Sequence, residues 1–209
     1  MKLDKILIAT TNKGKHRELK KMLEPLGIEV LSLADMPEKP KIVEDGKTFL
    51  ENAIKKAEGY GKYFKMPVVA DDSGLVIEAL DGYPGVYSSR FYDIDFGGKE
   101  KFIESADKTN VKKVLRLLKG EKNRNAKFVS YVVFYIDGDI GLISVGEVKG
   151  KITDEPRGEG GFGYDPIFIP EGYDKTFAEM SLEEKNKLSH RGRAFKKLVN
   201  MLEKLIQKD

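Results

Sequence analysis

Val68-Val69-Ala70-Asp71-Asp72-Ser73-Gly74-Leu75 is the stretch around which this 209-residue chain is organised. A short β-branched run reads as a buried strand that ends in two carboxylates, a hydroxyl and a glycine, after which the chain turns apolar again through Val76 and Ile77. Two adjacent aspartates at the rim of a buried strand repel each other, so a cation, a donor network or water must offset them. A divalent metal is the simplest solution. Successive strand residues point to opposite faces, so one aspartate is expected to face a ligand and the other to hold the loop. The plainer reading, an Asx-type turn closing the strand, stands beside it.

Upstream, Ile6-Leu7-Ile8-Ala9 reads as the first buried strand, and Leu19, Met22, Leu23 and Leu26 recur at helical spacing. Between them lies Thr10-Thr11-Asn12-Lys13-Gly14-Lys15, a polar turn. It places hydroxyls, an amide, backbone N–H groups and a lysine at a helix N-terminus, where a phosphate is favoured. A capped helix start with a solvated lysine explains the same residues. Gly27 closes the helix and Ile28–Leu33 reads as a second strand. A further helix starts at Thr48, with Glu51 three residues on in capping-box spacing and Phe49, Leu50, Ala53, Ile54, Ala57 and Tyr60 on its apolar face. Glu44, Asp45, Asn52, Lys55 and Lys56 around it read by default as surface groups.

Downstream, Leu75–Leu80 reads as a return strand, and Val111, Val114, Leu115 and Leu118 mark a helix ended by Gly120. Ala126–Ile136 and Ile140–Val148 are β-rich runs joined at Asp137-Gly138-Asp139, a strong hairpin signal. In Arg157–Pro166, four glycines surround Phe162, Tyr164 and Asp165. Such a backbone admits a planar ligand such as a nucleobase, with an aromatic ring to stack on it. A glycine-rich turn with its aromatics in the core is the alternative. Ser181 opens a short capped turn, and Ser189 precedes a last helix with Phe195, Leu198, Leu202, Leu205 and Ile206 on one face. That puts His190 and Arg191 in its first turn, where cations are disfavoured unless something anionic or electron-rich sits there.

Composition narrows the classes. Lys+Arg 37 against Asp+Glu 34 gives a net charge of +3, too balanced for a global nucleic-acid or membrane field. The chain has no cysteine, which removes disulfides and thiolate metal sites. No apolar stretch approaches membrane-spanning length, and the expected location is cytoplasmic.

The blocks Thr10-x-Asn12-x-x-Lys15, Glu44-Asp45-Gly46-x-Thr48-Phe49-x-Glu51-Asn52-Ala53 and Ala70-Asp71-Asp72-Ser73-Gly74-Leu75 occur in that order. Pro84-Gly85-Val86-Tyr87-Ser88, Gly160-Gly161-Phe162-Gly163-Tyr164-Asp165-Pro166 and Ser189-His190-Arg191 follow them. Together they resemble the Ham1/RdgB-type inosine triphosphate pyrophosphatases over nearly the whole chain. Ser89 stands where alanine is common in that family, and the Asp93–Glu100 loop is individual to this chain.

The resemblance implies an α/β fold with a long mixed β-sheet flanked by helices. It forms one domain over residues 1–209, with two lobes, an active-site cleft between them and no separable linker. It implies Mg2+-dependent hydrolysis of ITP, dITP and XTP to the monophosphate and pyrophosphate, by a homodimer. Asp72 is the expected base or water-orienting group, and Glu44, Asp72 and possible further ligand Asp71 the metal carboxylates. Thr10, Thr11, Asn12, Lys13, Gly14, Lys15 and Lys56 are expected at the phosphates, with Ser73 as a substrate contact. Phe162, Gly163, Tyr164 and Asp165 would form a stacking wall, with Lys185 near base or phosphates. His190 and Arg191 would supply donors to the purine C6 carbonyl. The rival readings are a Maf-type pyrophosphatase for other nucleotides and a non-catalytic nucleotide-binding protein.

Overall fold

The computed structural model describes residues 2–207. Strands β1 (Lys5–Ile8), β2 (Glu29–Ser32), β3 (Val68–Ile77), β4 (Asn125–Ile136), β5 (Asp139–Ile152) and β6 (Phe168–Pro170) form a six-stranded sheet in the order β2-β1-β3-β4-β5-β6. β1 is parallel to β2 and β3, and β5 antiparallel to β6, so the sheet is mixed as expected. The helices are α1 (Lys13–Leu23), α2 (Phe49–Phe64), α3 (Ala106–Leu117), α4 (Leu182–Leu188) and α5 (His190–Ile206). The residues group into two units. The first runs to Asp72 and adds Ser130–Gly146 and the segment from Arg191; the second holds Ser73–Val129 and Glu147–His190. Each draws on separated segments, so no single cut in the chain divides them.

In the first unit β1 and the adjoining parts of β3 and β4 are buried on both faces, and period-two alternation sorts their side chains. Ile6, Ile8, Val69, Val132 and Phe134 pack with Leu19 and Leu23 of α1 and Phe195, Leu198 and Leu202 of α5. Leu7, Ala9, Val68, Ala70, Val133 and Tyr135 pack with Ala53 and Ala57 of α2. The second unit buries one strand face only. Leu75, Ile77, Ala126, Phe128, Val148 and Ile152 join Phe91, Val111, Val114, Phe168 and Phe177 in its core, while Asn125, Lys149 and Lys151 on the alternate positions are exposed.

The structure corrects three local expectations. β3 does not stop at the aspartates, and Leu75–Leu80 is not a return strand: the strand continues unbroken to Ile77, and Glu78–Leu80 is a 3-10 turn. Asp-Ser-Gly has turn chemistry locally, but β3 carries on beside β4 after β1 has paired with its start at Val68 and Val69, and extended backbone continues the sheet there. The capping box at α2 is half formed. Thr48 Oγ1 accepts the Glu51 N–H at 3.1 Å, whereas the Glu51 carboxylate takes the N–H of Lys47 at 2.6 Å. β5 runs past Val148 to Ile152. The expected hairpin is present, closed by Asp137 and Gly138 with φ of 54° and 91°, the left-handed pair that a two-residue type I′ turn requires.

α2 reaches the sheet through small residues, and Gly61 is the tightest contact: a Cβ there would lie 2.1 Å from the Tyr135 ring. Gly61→Ala is therefore expected to destabilise the chain by about 1–3 kcal/mol despite alanine's better helix propensity, as urea unfolding would measure. An unchanged midpoint would mean that the ring can step aside.

Candidate active site

The turn before α1 is a capped helix start. The Asn12 side-chain oxygen accepts the N–H groups of Gly14 at 2.9 Å and Lys15 at 3.1 Å, and the Asn12 N–H donates to Thr10 Oγ1 at 3.0 Å. Thr10 is buried, while Thr11, Asn12, Lys13 and Gly14 are exposed. Lys15 is not solvated: its Nζ donates to Asp71 Oδ2 at 2.8 Å.

Alternation along β3 gives the two aspartates different surroundings. Asp71 continues the face of Val69, toward α1 and α5, and Asp72 continues the face of Ala70, toward α2. Asp71 is 5% exposed and meets Lys15, with Arg191 Nε 4.0 Å from the same oxygen. Burial alone would raise its carboxyl, yet Lys15, then Arg191 and Lys56, hold it well below the usual carboxylate range. The anion that reconciles Arg191 with a helix N-terminus is thus Asp71. Asp72 is half-buried and hydrogen-bonded by Asn52. Burial raises its carboxyl to about 6; Lys56 and Asn52 pull it down, Glu44 and Asp71 push it up.

Lys56 ties this side together. Its ammonium pairs with Glu44 Oε1 at 3.0 Å and donates to the Asp71 carbonyl oxygen. Burial opposes the charge on Lys56, but Asp71, Glu44 and Asp72 together raise its pKa.

In the second unit, Ser73 follows in β3 and is half-buried. The glycine-rich segment is pinned at several points. Asp165 Oδ2 accepts the Phe162 N–H at 3.0 Å and pairs with the Lys185 ammonium, and the Gly163 N–H donates to Asp107 Oδ2 at 2.9 Å. The Tyr164 hydroxyl donates to the Ser88 carbonyl at 2.6 Å. Tyr164 and Asp165 are buried, so the stacking wall expected from Phe162–Asp165 reduces to the ring of Phe162, which is 50% exposed. Lys185 Nζ lies 4.6 Å from that ring's centroid. His190 is buried with its imidazole stacked on Phe128, 4.8 Å between centroids at 11°.

Among the described residues, no group of three or more His, Cys, Asp or Glu side chains could hold a metal ion. Magnesium does not demand one, since it retains waters and takes one or two carboxylates plus substrate phosphate oxygens. Glu44 and Asp72 fit that donor set: Asp72 is a carboxyl made unfavourable as an anion by burial and by like charge, which a divalent cation would relieve. Asp71 does not fit as a ligand, because its carboxylate is engaged by Lys15 and Arg191.

Sequence reasoning passed over Asn52 and Asp107 as placed groups. The signal for Asn52 was its spacing, four residues before Lys56 and therefore on the same helical face. Asp107 carried no such signal, because its partner Gly163 is distant in the chain.

The family model described as the Ham1 family matches residues 6–201. A dITP/XTP pyrophosphatase of Aquifex aeolicus is 58% identical over 198 residues, spanning 95% of this chain and 96% of that protein. One of Bacillus subtilis is 48% identical over 199 residues, 94% and 96% of the two chains. Among solved structures, a HAM1 protein from Coxiella burnetii superposes with a TM-score of 0.86 at 37% identity, over 97% of this chain and 100% of that one. The Staphylococcus aureus Ham1 protein gives 0.84 at 37% identity, over 96% and 98%. By family model, sequence and fold alike, the chain belongs to the Ham1 family.

Proposed function

We propose that this chain hydrolyses ITP, dITP and XTP, purine nucleoside triphosphates with deaminated bases, to the monophosphate and pyrophosphate with magnesium, and so removes these bases from the nucleotide pool. The observation that carries the reading is the β3 carboxylate pair in a Ham1-family chain: one aspartate locked among cations, the other lifted to about 6 beside Glu44. Relatives named dITP/XTP pyrophosphatase support the substrate class.

A triphosphate needs cations before it needs catalysis. Lys15, Lys56 and Arg191 converge on Asp71, and they offer positive charge to phosphate oxygens. Glu44 and Asp72 would hold the magnesium. When bound, the ion polarises phosphate oxygens and offsets the charge that builds on the pyrophosphate leaving group. Asp72 orients the water that attacks the α-phosphorus and takes its proton as the bond to the β-phosphate breaks.

Hypoxanthine and xanthine carry a carbonyl at C6 where adenine carries an amino group. Buried donors facing that position lose their acceptor when adenine enters, which disfavours it. The first turn of α5, with His190, is the assigned source of those donors. Phe162 supplies the stacking face for the base. Phe162→Ala is expected to raise KM for dITP roughly 5- to 150-fold, the equivalent of about 1–3 kcal/mol, with a smaller change in kcat. A KM within twofold of wild type would remove the ring from base binding.

The homodimer expected from the family is part of the proposal, and light scattering on the purified chain tests it. The decisive experiment is pyrophosphate release, with and without magnesium, across ITP, dITP, XTP and the common triphosphates. Turnover confined to the deaminated purines is expected. A preference for pyrimidine nucleotides, or binding of ITP without turnover, would overturn the reading.

A further inference from the structure

Asn52 is 2% exposed on α2, on the stripe otherwise made of Ala53, Ala57 and Gly61. Asparagine is a poor helix former, and a buried carboxamide opposes folding unless both of its ends are bonded. Both ends are bonded, and to segments that carry the proposed chemistry. The Asn52 oxygen accepts the N–H of Gly46 at 2.8 Å, two residues beyond Glu44, and its amide donates to the Asp72 carboxylate. The approach is close: a Cβ at Gly46 would lie 2.7 Å from Asn52 Oδ1 and 2.8 Å from Glu51 Cβ. One helical turn on, Lys56 reaches Glu44 as well.

We propose that Asn52 is a positioning residue for the hydrolysis, setting the loop that bears Glu44 and the Asp72 carboxylate in one fixed geometry. The inference rests on the function proposed above. Its physical content is a division of labour along α2. Lys56 supplies charge, through its ion pair with Glu44 at 3.0 Å. Asn52 supplies direction without charge: its amide holds the Asp72 carboxylate by a hydrogen bond while its oxygen holds the loop at Gly46. Groups that hydrogen-bond a metal-ligating carboxylate typically matter 10–100-fold for metal affinity or activity.

The test compares Asn52→Ser, Asn52→Asp and the swap Asn52→Asp with Asp72→Asn. Melting temperature, kcat and KM for pyrophosphate release from dITP, and Mn2+ affinity by electron paramagnetic resonance in the presence of pyrophosphate are all measured. Asn52→Ser is expected to lower kcat and Mn2+ affinity by about 10–100-fold with KM for dITP nearly unchanged. Asn52→Asp keeps the acceptor for Gly46 but loses the donor to Asp72 and abuts two carboxylates, so both melting temperature and kcat should fall. The swap restores a donor–acceptor pair with its polarity reversed. It should recover the melting temperature and not the turnover. A kcat and Mn2+ affinity within twofold of wild type in Asn52→Ser overturns the proposal, as does Asn52→Asp that keeps full turnover, since loop anchoring alone would then suffice. If the wild-type chain releases no pyrophosphate from any triphosphate, the proposed function fails. In that event the placement of Asn52 is judged on Mn2+ affinity and melting alone, and is overturned if neither moves.

Discussion

Asp72→Asn is expected to lower pyrophosphate release from dITP by about 10³–10⁴-fold while the chain keeps its fold and its melting temperature. The side chain keeps its shape, and its carboxamide oxygen can still accept from Asn52, so the local hydrogen bond survives. What disappears is the charge that would hold magnesium with Glu44 and the oxygen that would take the proton from water. Burial already works against that charge, so removing it costs no stability and can add some. The pairing of lost turnover with retained or raised melting temperature is the informative result. Turnover within tenfold of wild type would take Asp72 out of the mechanism, and a collapsed melting temperature would make it a structural residue.

The neighbouring substitution should behave in the opposite way. Asp71→Asn leaves Lys15, Lys56 and Arg191 gathered around a neutral group in a buried position, and is expected to destabilise the chain by about 3–5 kcal/mol. For a chain of this size that corresponds to a fall in melting temperature of roughly 6–20 °C. The same cations, deprived of their internal anion, should then draw more stability from an added one. Pyrophosphate is expected to raise the melting temperature of Asp71→Asn more than that of wild type. A fall of less than about 3 °C would mean that the Lys15 and Arg191 contacts contribute little net stability.

Two adjacent, chemically identical residues are thus expected to give opposite phenotypes, and alternation explains how much of this was legible beforehand. That Asp71 and Asp72 differ follows from the pleat of a strand, and so was readable from residues 68–77 alone. Which of them is locked was not, because that depends on which helices cover which face. Lys15, Lys56 and Arg191 lie far apart in the chain, and only packing brings them to Asp71. The glycine-rich segment shows the same limit. Its aromatics were visible, but that Phe162 is exposed while Tyr164 is buried against Ser88 depends on a contact 76 residues away.

By itself, the order of residues determined the buried strands, the hairpin at Asp137-Gly138-Asp139, the amphipathic helices, the α/β class and the family resemblance. These rest on local periodicity, turn chemistry and short motifs. Tertiary structure alone decided that Asp-Ser-Gly stays extended within β3, that Asp71 is an internal counter-ion and that burial raises the carboxyl of Asp72. Those outcomes depend on desolvation and on charges brought together from distant segments, which no local pattern encodes.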